Sequence, residues 1–208
     1  AVLYRKQACF KLITTGKISQ KQLLFEEQHL ERLRKASRYF AYPFDAEDLR
    51  QKIEEECQAC DANQDYRLRI SLSKFGEIEL SRQVLTPLSP SFCEVKLCLQ
   101  EANLQKVFTY FKTSYRPHLS LGEQEIIYHN EIGELLETSI GNLVLKIAGK
   151  LYTPPIRLGI LPGIYRQYLL ETGQVEEKVL TLKDLDQAEA IYGCNAVRGL
   201  YELRLEGN

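Results

Sequence analysis

The stretch Glu137-Thr-Ser-Ile-Gly-Asn-Leu-Val144, continued by Leu151-Tyr-Thr-Pro-Pro155 and Ile160-Leu-Pro-Gly-Ile-Tyr-Arg166, decides the fold. Leu143, Val144 and Leu145 have strand character, and Ala148-Gly149 supplies a turn into a second strand. Pro162 and Gly163 then precede an apolar-periodic run from Ile164 to Glu171, with Pro162 suited to a first helical position. A helix opened this way turns unpaired backbone N–H groups and the positive end of its dipole toward whatever lies ahead, ideally a phosphate. Every helix start does the same. The specific content is the fixed order of Glu, Ser, Asn and Thr ahead of a Leu-Pro-Gly-Ile turn.

Outward from this stretch the periodicities continue. Ile126 to Tyr128 and Glu134 to Leu136 flank Asn130 to Gly133 as a hairpin, so Glu137 ends a strand, where a side chain can be aimed into a cleft. Before it, Val107 to Arg116 is aromatic-rich and carries Lys112 and Arg116, and Cys93, Val95, Leu97 and Leu99 alternate as a strand. After it, Gly173 closes the helix, Thr181 to Asp184 cap a short one, and Arg198-Gly199 separates strands over Ala190 to Asn195 and Leu200 to Leu205.

The N-terminal part reads as a strand over Phe10 to Thr15, a turn at Gly16-Lys17 and a second strand ending near Leu24. A helix over Phe25 to Phe40 points Leu30, Leu33, Ala36 (or Ser37) and Phe40 inward, with His29 and Arg32 as neighbours on its surface. Asp45 caps a second helix with Leu49, Ile53 and Cys57 on one face. Tyr66, Leu68, Ile70 and Leu72 share one face of an alternating strand, and Gly76 turns into a partner over Ile78 to Leu85. Thr86-Pro-Leu-Ser-Pro90 breaks the pattern. The expected organisation is an α/β lobe over residues 1–86, a linker over 87–91 and a larger lobe over 92–208.

With 208 residues and a net charge of −1, the chain has ample core material and no electrostatic footprint for nucleic acid or an acidic membrane. No apolar run approaches a membrane span and no signal-peptide core is evident, so a cytoplasmic protein is expected. Among the six cysteines, Cys57-x-x-Cys60 and Cys93-x4-Cys98 have spacings that occur in zinc sites. The first pair sits on a helix, however, and the second would face opposite sides of a strand, so reduced thiols and no metal are expected. The three histidines, His29, His118 and His129, adjoin no nucleophile elbow or H-E-x-x-H pattern. Without a G-x-G-x-x-G or Walker loop, the Gly159 to Gly163 turn is the only phosphate-cradle candidate.

These segments resemble the class IV pyridoxal-phosphate family, which includes branched-chain and D-amino-acid aminotransferases and 4-amino-4-deoxychorismate lyases. The resemblance covers nearly the whole chain. It is carried by His-Leu-Glu-Arg-Leu33, Phe-Lys-Thr-Ser-Tyr-Arg116, Glu-Thr-Ser-Ile-Gly-Asn-Leu143, Tyr-Thr-Pro-Pro155, Leu-Pro-Gly-Ile-Tyr-Arg166 and Cys-Asn-Ala-Val-Arg-Gly199. It implies an α/β (α+β) two-lobed enzyme of fold type IV, with a small N-terminal α/β lobe and a larger C-terminal lobe built on a mixed, barrel-like sheet. The Lys-x-x-x-Arg and Asn-x-x-Arg-Gly spacings look most like lyase-type domains fused to, or encoded with, aminodeoxychorismate synthase.

The resemblance also implies roles. Lys112 matches the lysine joined covalently to the cofactor aldehyde, an amine whose pKa must be depressed, as Tyr110, Phe111 and Arg116 nearby would help to do. Glu137 matches the acid that keeps the cofactor's pyridine nitrogen protonated. Arg32 matches the phosphate-binding arginine, and Ile164 and Tyr165 the helix-start pair whose N–H groups receive that phosphate. Ile140, Gly141, Asn195 and Ala196 match backbone positions facing the cofactor. Arg116 and Arg198 are candidates for substrate carboxylates. A homodimer and a synthase partner are implied as well. Lyase action would release pyruvate and leave 4-aminobenzoate; the alternatives are an aminotransferase acting on a small amino acid, or a cofactor-binding domain without catalysis of its own.

Three departures stand out. Leu12 takes the place of a threonine that in the lyases takes part in proton transfer, which a leucine cannot do. Tyr165 replaces a threonine of the phosphate cup. The segment before Phe10 is shorter than in most members, so part of one active-site wall is expected to be missing or supplied by a partner.

Overall fold

The structure is a computed structural model that describes residues 9–100, 106–120, 122 and 124–207. The segment before Phe10, on which one wall of the site was expected to depend, lies outside the described residues except for Cys9. The chain forms two units: one runs to Thr86 and takes in Phe111–Tyr115, the other comprises Pro87–Tyr110 and the chain from Arg116 onward.

The first unit contains β1 (Leu12–Ser19), β2 (Gln22–Leu23), α1 (Glu26–Phe40), α2 (Ala46–Gln58), β3 (Tyr66–Leu72) and β4 (Ile78–Val84). The strands form an antiparallel sheet in the order β2-β1-β3-β4. Leu68, Ile70 and Leu72 of β3, Leu30 and Leu33 of α1 and Leu49 and Ile53 of α2 are all nearly inaccessible, and α1 packs on β1 beside them. The expected turn at Gly16-Lys17 is displaced. β1 continues through both residues, and the hairpin turns at Gln20 and Lys21, whose φ angles of 49° and 62° suit a two-residue primed turn. Gly16 is needed for space, because a Cβ there would lie 2.5 Å from His29 Nε2.

Asp45 caps α2 as expected, its Oδ1 accepting from the N–H groups of Glu47 and Asp48 at 2.9 and 3.1 Å. β2 is short and leaves the start of β1 exposed as an edge. The segment 111–115 fills it: Ile13 N–H donates to the Lys112 carbonyl at 2.8 Å and Ser114 N–H to that of Lys11 at 2.8 Å. That pairing is why Lys112 belongs to the first unit.

The second unit contains β5 (Phe92–Leu99), α3 (Val107–Tyr110), β6 (Glu125–His129), β7 (Leu135–Thr138), β8 (Asn142–Ile147), β9 (Lys150–Thr153), α4 (Ile164–Glu171), β10 (Glu176–Glu177), α5 (Leu182–Asp186), β11 (Ala190–Asn195) and β12 (Gly199–Leu205). Its sheet runs β10-β9-β8-β11-β12-β5-β6-β7, and β7 pairs back onto β8 through Glu137 and Asn142. β8, β11, β12, β5, β6 and β7 therefore close a ring, with β5 parallel to both neighbours and the remaining ring pairs antiparallel. This is the mixed, barrel-like sheet that the resemblance implied. Val95, Ile127, Leu135, Leu143, Leu145, Tyr201 and Leu203 form its main cluster, while Leu169 of α4 packs with Val144 and Cys194 in another.

Pro162 is not the first helical residue. α4 begins at Ile164, with Gly163 as its N-cap. The buried guanidinium of Arg166 donates to the Pro154 carbonyl at 2.8 Å and pairs with Glu177, tying α4 to the connection before it and to β10 after it. Thr181 and Asp184 form the reciprocal capping box of α5. Among the described residues no helix is long and apolar enough to cross a membrane.

Candidate active site

In the first unit the candidate cations surround a histidine. His29 is not on the surface of α1 but wholly buried, its Nδ1 sharing a 2.6 Å hydrogen bond with Thr14 Oγ1. Burial, then the charge of Arg32, then that of Lys112, push the imidazole down to about 3, so it is neutral at physiological pH. Arg32 lies one helical turn beyond His29 on α1 and is half-buried. Lys112 is half-buried in the segment paired with β1, close enough for its charge to act on the same ring.

Leu12 lies on the same face of β1 as Thr14 and is fully enclosed. The two hydroxyls nearest to it along the backbone pairing are engaged: Thr14 with His29, and Thr113, bridged to Leu12, with the Tyr115 carbonyl at 2.6 Å. Leucine at position 12 has no group that can relay a proton.

In the second unit, Glu137 at the end of β7 is 1% exposed, and its Oε2 accepts from Leu161 N–H at 3.2 Å. Across the β7–β8 pair, Asn142 Nδ2 donates to the Leu161 carbonyl at 2.8 Å. The peptide groups of Leu161 are thus held by both side chains, and the Leu-Pro-Gly turn is locked to the mouth of the hairpin. Gly163 has φ −68°, comfortable for any residue, but a Cβ on it would stand 1.9 Å from Asn142 Oδ1. Close approach, not backbone freedom, requires the glycine here.

Ile164 and Tyr165 follow as the first residues of α4, whose N-cap, Gly163, has no side chain with which to cap the helix. The Tyr165 ring reaches Gly199, where an added Cβ would lie 3.2 Å from its hydroxyl, so α4 meets the β11–β12 turn at this point. In that turn Asn195 Oδ1 accepts from the N–H groups of Val197 and Arg198 at 3.0 and 2.9 Å. The Asn195 side chain shapes the turn, and any part that it or the buried Ala196 takes in binding falls to their backbone. Ile140 is half-exposed at the tip of the β7–β8 turn, beside Gly141. Arg198 is half-buried, and its charge acts on the Glu125 carboxyl and the Cys93 thiol.

Two further groups surround Glu137. His118 is buried, with its Nε2 4.0 Å from Glu137 Oε1. Burial and the Arg116 charge lower it to about 4. Neither of its ring nitrogens has a hydrogen-bond partner among the described residues, nor does the buried Nε of Arg116. Burial lowers the Arg116 pKa while Glu137 and Tyr128 oppose the fall, which places its charge within reach of Glu137. The sequence reading passed over His118 and the part Asn142 plays. Asn142 stood in the quoted stretch, whereas nothing around His118 signalled its burial.

The family model for amino-transferase class IV matches residues 11–205. The chain belongs to that family. Class IV enzymes depend on pyridoxal 5′-phosphate, which is therefore the cofactor of this one. Among curated relatives, the chain is 25% identical over 196 residues to the "Putative aminodeoxychorismate lyase" of Schizosaccharomyces pombe, covering 85% of this chain and 82% of that protein. Among solved structures, the "Putative amino-acid aminotransferase" of Mesorhizobium loti aligns with a TM-score of 0.84 at 28% identity, over 94% of this chain and 99% of that one. A "hypothetical aminotransferase" of Mycobacterium tuberculosis in its PLP-bound form shares the fold, with a TM-score of 0.81 at 19% identity, over 95% of this chain and 81% of that one.

The residues of each unit fit such a cofactor. The first supplies a lysine and an arginine close to a buried neutral histidine. The second supplies a buried carboxylate fixed by a peptide N–H, an uncapped helix start suited to a phosphate, and an arginine whose buried Nε lacks a partner among the described residues. Their chemistry is that of a class IV enzyme acting on a small-molecule substrate.

Proposed function

We propose that the chain is a lyase resembling 4-amino-4-deoxychorismate lyase, which eliminates pyruvate from aminodeoxychorismate and leaves 4-aminobenzoate. The observation that carries the carbanion chemistry is the setting of Glu137: buried, hydrogen-bonded to Leu161 N–H and within reach of the Arg116 charge. Similarity to the S. pombe protein across most of both chains, with the Lys112-x-x-x-Arg116 and Asn195-x-x-Arg198-Gly199 spacings, favours the lyase. The bound cofactor supplies an electron sink for the substrate carbanion. In this reading Lys112 would hold the cofactor, its Nζ, once displaced by the substrate amine, would take the substrate α-proton, and Glu137 would hold the proton at the pyridine nitrogen. Arg32 and the N–H groups of Ile164 and Tyr165 bind the phosphate. Ile140, Gly141, Asn195 and Ala196 present backbone to the cofactor, and Arg198 and Arg116 are the arginines available to substrate carboxylates.

The Mesorhizobium loti protein favours a second reading, an aminotransferase acting on a small amino acid. One preparation separates the two. Cofactor-loaded protein given aminodeoxychorismate is expected to release pyruvate, and its failure to do so overturns the lyase reading. Conversion to the pyridoxamine form on adding an amino acid supports the aminotransferase. Lys112→Ala is expected to lose the bound cofactor's visible absorbance. Loaded wild type with no turnover of either kind would mark a cofactor-binding domain that supports a synthase partner.

A further inference from the structure

Behind the β7–β8 turn lies a buried carboxyl that none of the proposed chemistry uses. Glu125 opens β6, is 7% exposed, and has Arg198 as the cation whose charge reaches it. Its Oε1 accepts from the Tyr201 hydroxyl of β12 at 2.8 Å and from the Thr138 hydroxyl of β7 in a shorter bond. Thr138 and Tyr201 are themselves buried.

The proton count fixes the direction of this chain of bonds. Thr138 Oγ1 has one hydrogen and receives Gly141 N–H at 2.9 Å. The Gly141 carbonyl, 3.1 Å from the same hydroxyl, already accepts from Thr138 N–H at 2.9 Å, so the hydroxyl hydrogen goes to the nearer Glu125. The chain therefore runs from Gly141 N–H to Thr138 Oγ1 to Glu125 Oε1, where the Tyr201 hydroxyl joins from the other side. Space has been made for it in the backbone. A Cβ on Gly193 would lie 2.5 Å from the Tyr201 ring, and one on Gly141 would lie 2.7 Å from the Cys194 carbonyl and 3.0 Å from the Tyr201 hydroxyl. The next residue is tied down too, since Ser139 Oγ accepts from Ile126 N–H at 3.1 Å and Ser139 N–H donates to the Ile126 carbonyl at 2.9 Å.

We propose that Glu125 is a positioning residue for the cofactor: with Thr138 and Tyr201 it sets the backbone of Ile140 and Gly141, the turn that faces the bound group. The inference rests on the reading that this turn faces pyridoxal phosphate. A barrel scaffold alone could hold a turn with apolar contacts. A buried carboxyl is costly unless its hydrogen bonds serve a defined geometry, and this one receives two hydroxyls on a single oxygen while Oε2 has no partner among the described residues.

The test compares cofactor-loaded wild type with Glu125→Gln, Tyr201→Phe, Thr138→Val and Thr138→Ser, by pyridoxal phosphate dissociation constant, visible absorbance maximum and thermal stability of the cofactor-free form. Glu125→Gln, Tyr201→Phe and Thr138→Val are each expected to weaken cofactor binding about tenfold, the scale of one lost buried hydrogen bond, and to shift the absorbance maximum. Thr138→Ser, which keeps the hydroxyl, is expected to behave as wild type. The Glu125→Gln, Tyr201→Phe double variant is expected to be no weaker than the single ones, because all act through one chain of bonds. Lowered thermal stability with unchanged binding and absorbance in the three disruptive variants overturns the inference while leaving the cofactor reading intact. Wild type that takes up no cofactor overturns both. If Glu125→Gln does not fold, Tyr201→Phe and the Thr138 pair decide.

Discussion

Gly163→Ala is the smallest change that tests how Glu137 is coupled to the start of α4. Gly163 has φ −68° and ψ 139°, so alanine meets no conformational strain, and loss of glycine's freedom in the unfolded chain favours the variant by about 0.4–1 kcal/mol. The new Cβ, however, would lie 1.9 Å from Asn142 Oδ1 and 3.1 Å from its Cγ. Asn142 is 3% exposed and its Nδ2 donates to the Leu161 carbonyl. If the amide yields, a buried donor and carbonyl are left unsatisfied, at about 1–3 kcal/mol. If instead α4 yields, the overpacking costs about 1–3 kcal/mol. The unfolded-state gain is smaller than either, so a net loss of about 1–2 kcal/mol is expected. It is read by urea unfolding of cofactor-free protein in the transition that unfolds the second unit. Cofactor affinity should fall with it, because the displaced atoms lead into Ile164 and Tyr165. Adding Asn142→Ala removes the clashing oxygen, so the pair should cost less than the sum of the single changes by about 1 kcal/mol. A Gly163→Ala protein as stable and as tightly loaded as wild type, or strict additivity with Asn142→Ala, refutes the reasoning.

Three further outcomes follow from the same structure. His29 is held near 3 when folded against 6.5 as its ordinary value. The unfolded chain therefore binds the extra proton first, and His29's contribution, intact above about pH 6.5, is lost toward pH 3 at up to about 1.4 kcal/mol per pH unit. Between pH 7 and 5 wild type should lose about 2 kcal/mol more than His29→Gln in urea unfolding; equal losses refute the assignment. Leu12→Thr places a hydroxyl in a fully enclosed position and should cost about 2–3 kcal/mol, while raising pyruvate release from aminodeoxychorismate; no gain in turnover refutes a proton-transfer role at this position. Arg166→Leu takes the donor from the buried Pro154 carbonyl and should cost about 1–3 kcal/mol, with little from Glu177, whose side chain is 46% exposed; a loss within about 0.5 kcal/mol refutes that reading.

Local signals carried the parts of the fold that local chemistry determines. The reciprocal cap of Thr181 and Asp184 needs only residues three apart, and the buried face of β3 only an alternation. Gly16 misled because glycine reads as a turn former, whereas its use here is to admit a histidine from another element; the true turn falls on Gln20 and Lys21, which carry no turn signal. Pairing between distant segments leaves no local trace. The parallel register of Phe92 with Glu202 and the return of Lys112 to the edge of β1 belong to this class. In the candidate site, Glu137, Gly163 and Ile164 belong to three short stretches in a fixed order along the chain and could be read together. His118 could not, because no nucleophile elbow or H-E-x-x-H pattern adjoins it and nothing in its neighbourhood in the chain signals burial beside a carboxylate.

The groups around Glu137 explain how its surroundings keep a constant charge. Among the described residues of the second unit, Arg116 and His118 stand beside it. A histidinium there would appear and vanish with pH. Burial, with the Arg116 charge added to it, holds His118 near 4, so the imidazole is neutral through the physiological range, while Arg116, though lowered by burial, is supported by Glu137. The attraction on Glu137 thus comes from a group that does not titrate near neutrality. In the proposed reading, where Glu137 holds a proton on a pyridine nitrogen, such a surrounding is needed, since a fluctuating neighbour would move the electron sink with it. The same geometry limits Arg116: the more of its charge Glu137 uses, the less remains for a substrate carboxylate. Arg198 meets the same limit, because its charge acts on the Glu125 carboxyl, so in the lyase reading neither arginine offers its full charge to a substrate carboxylate.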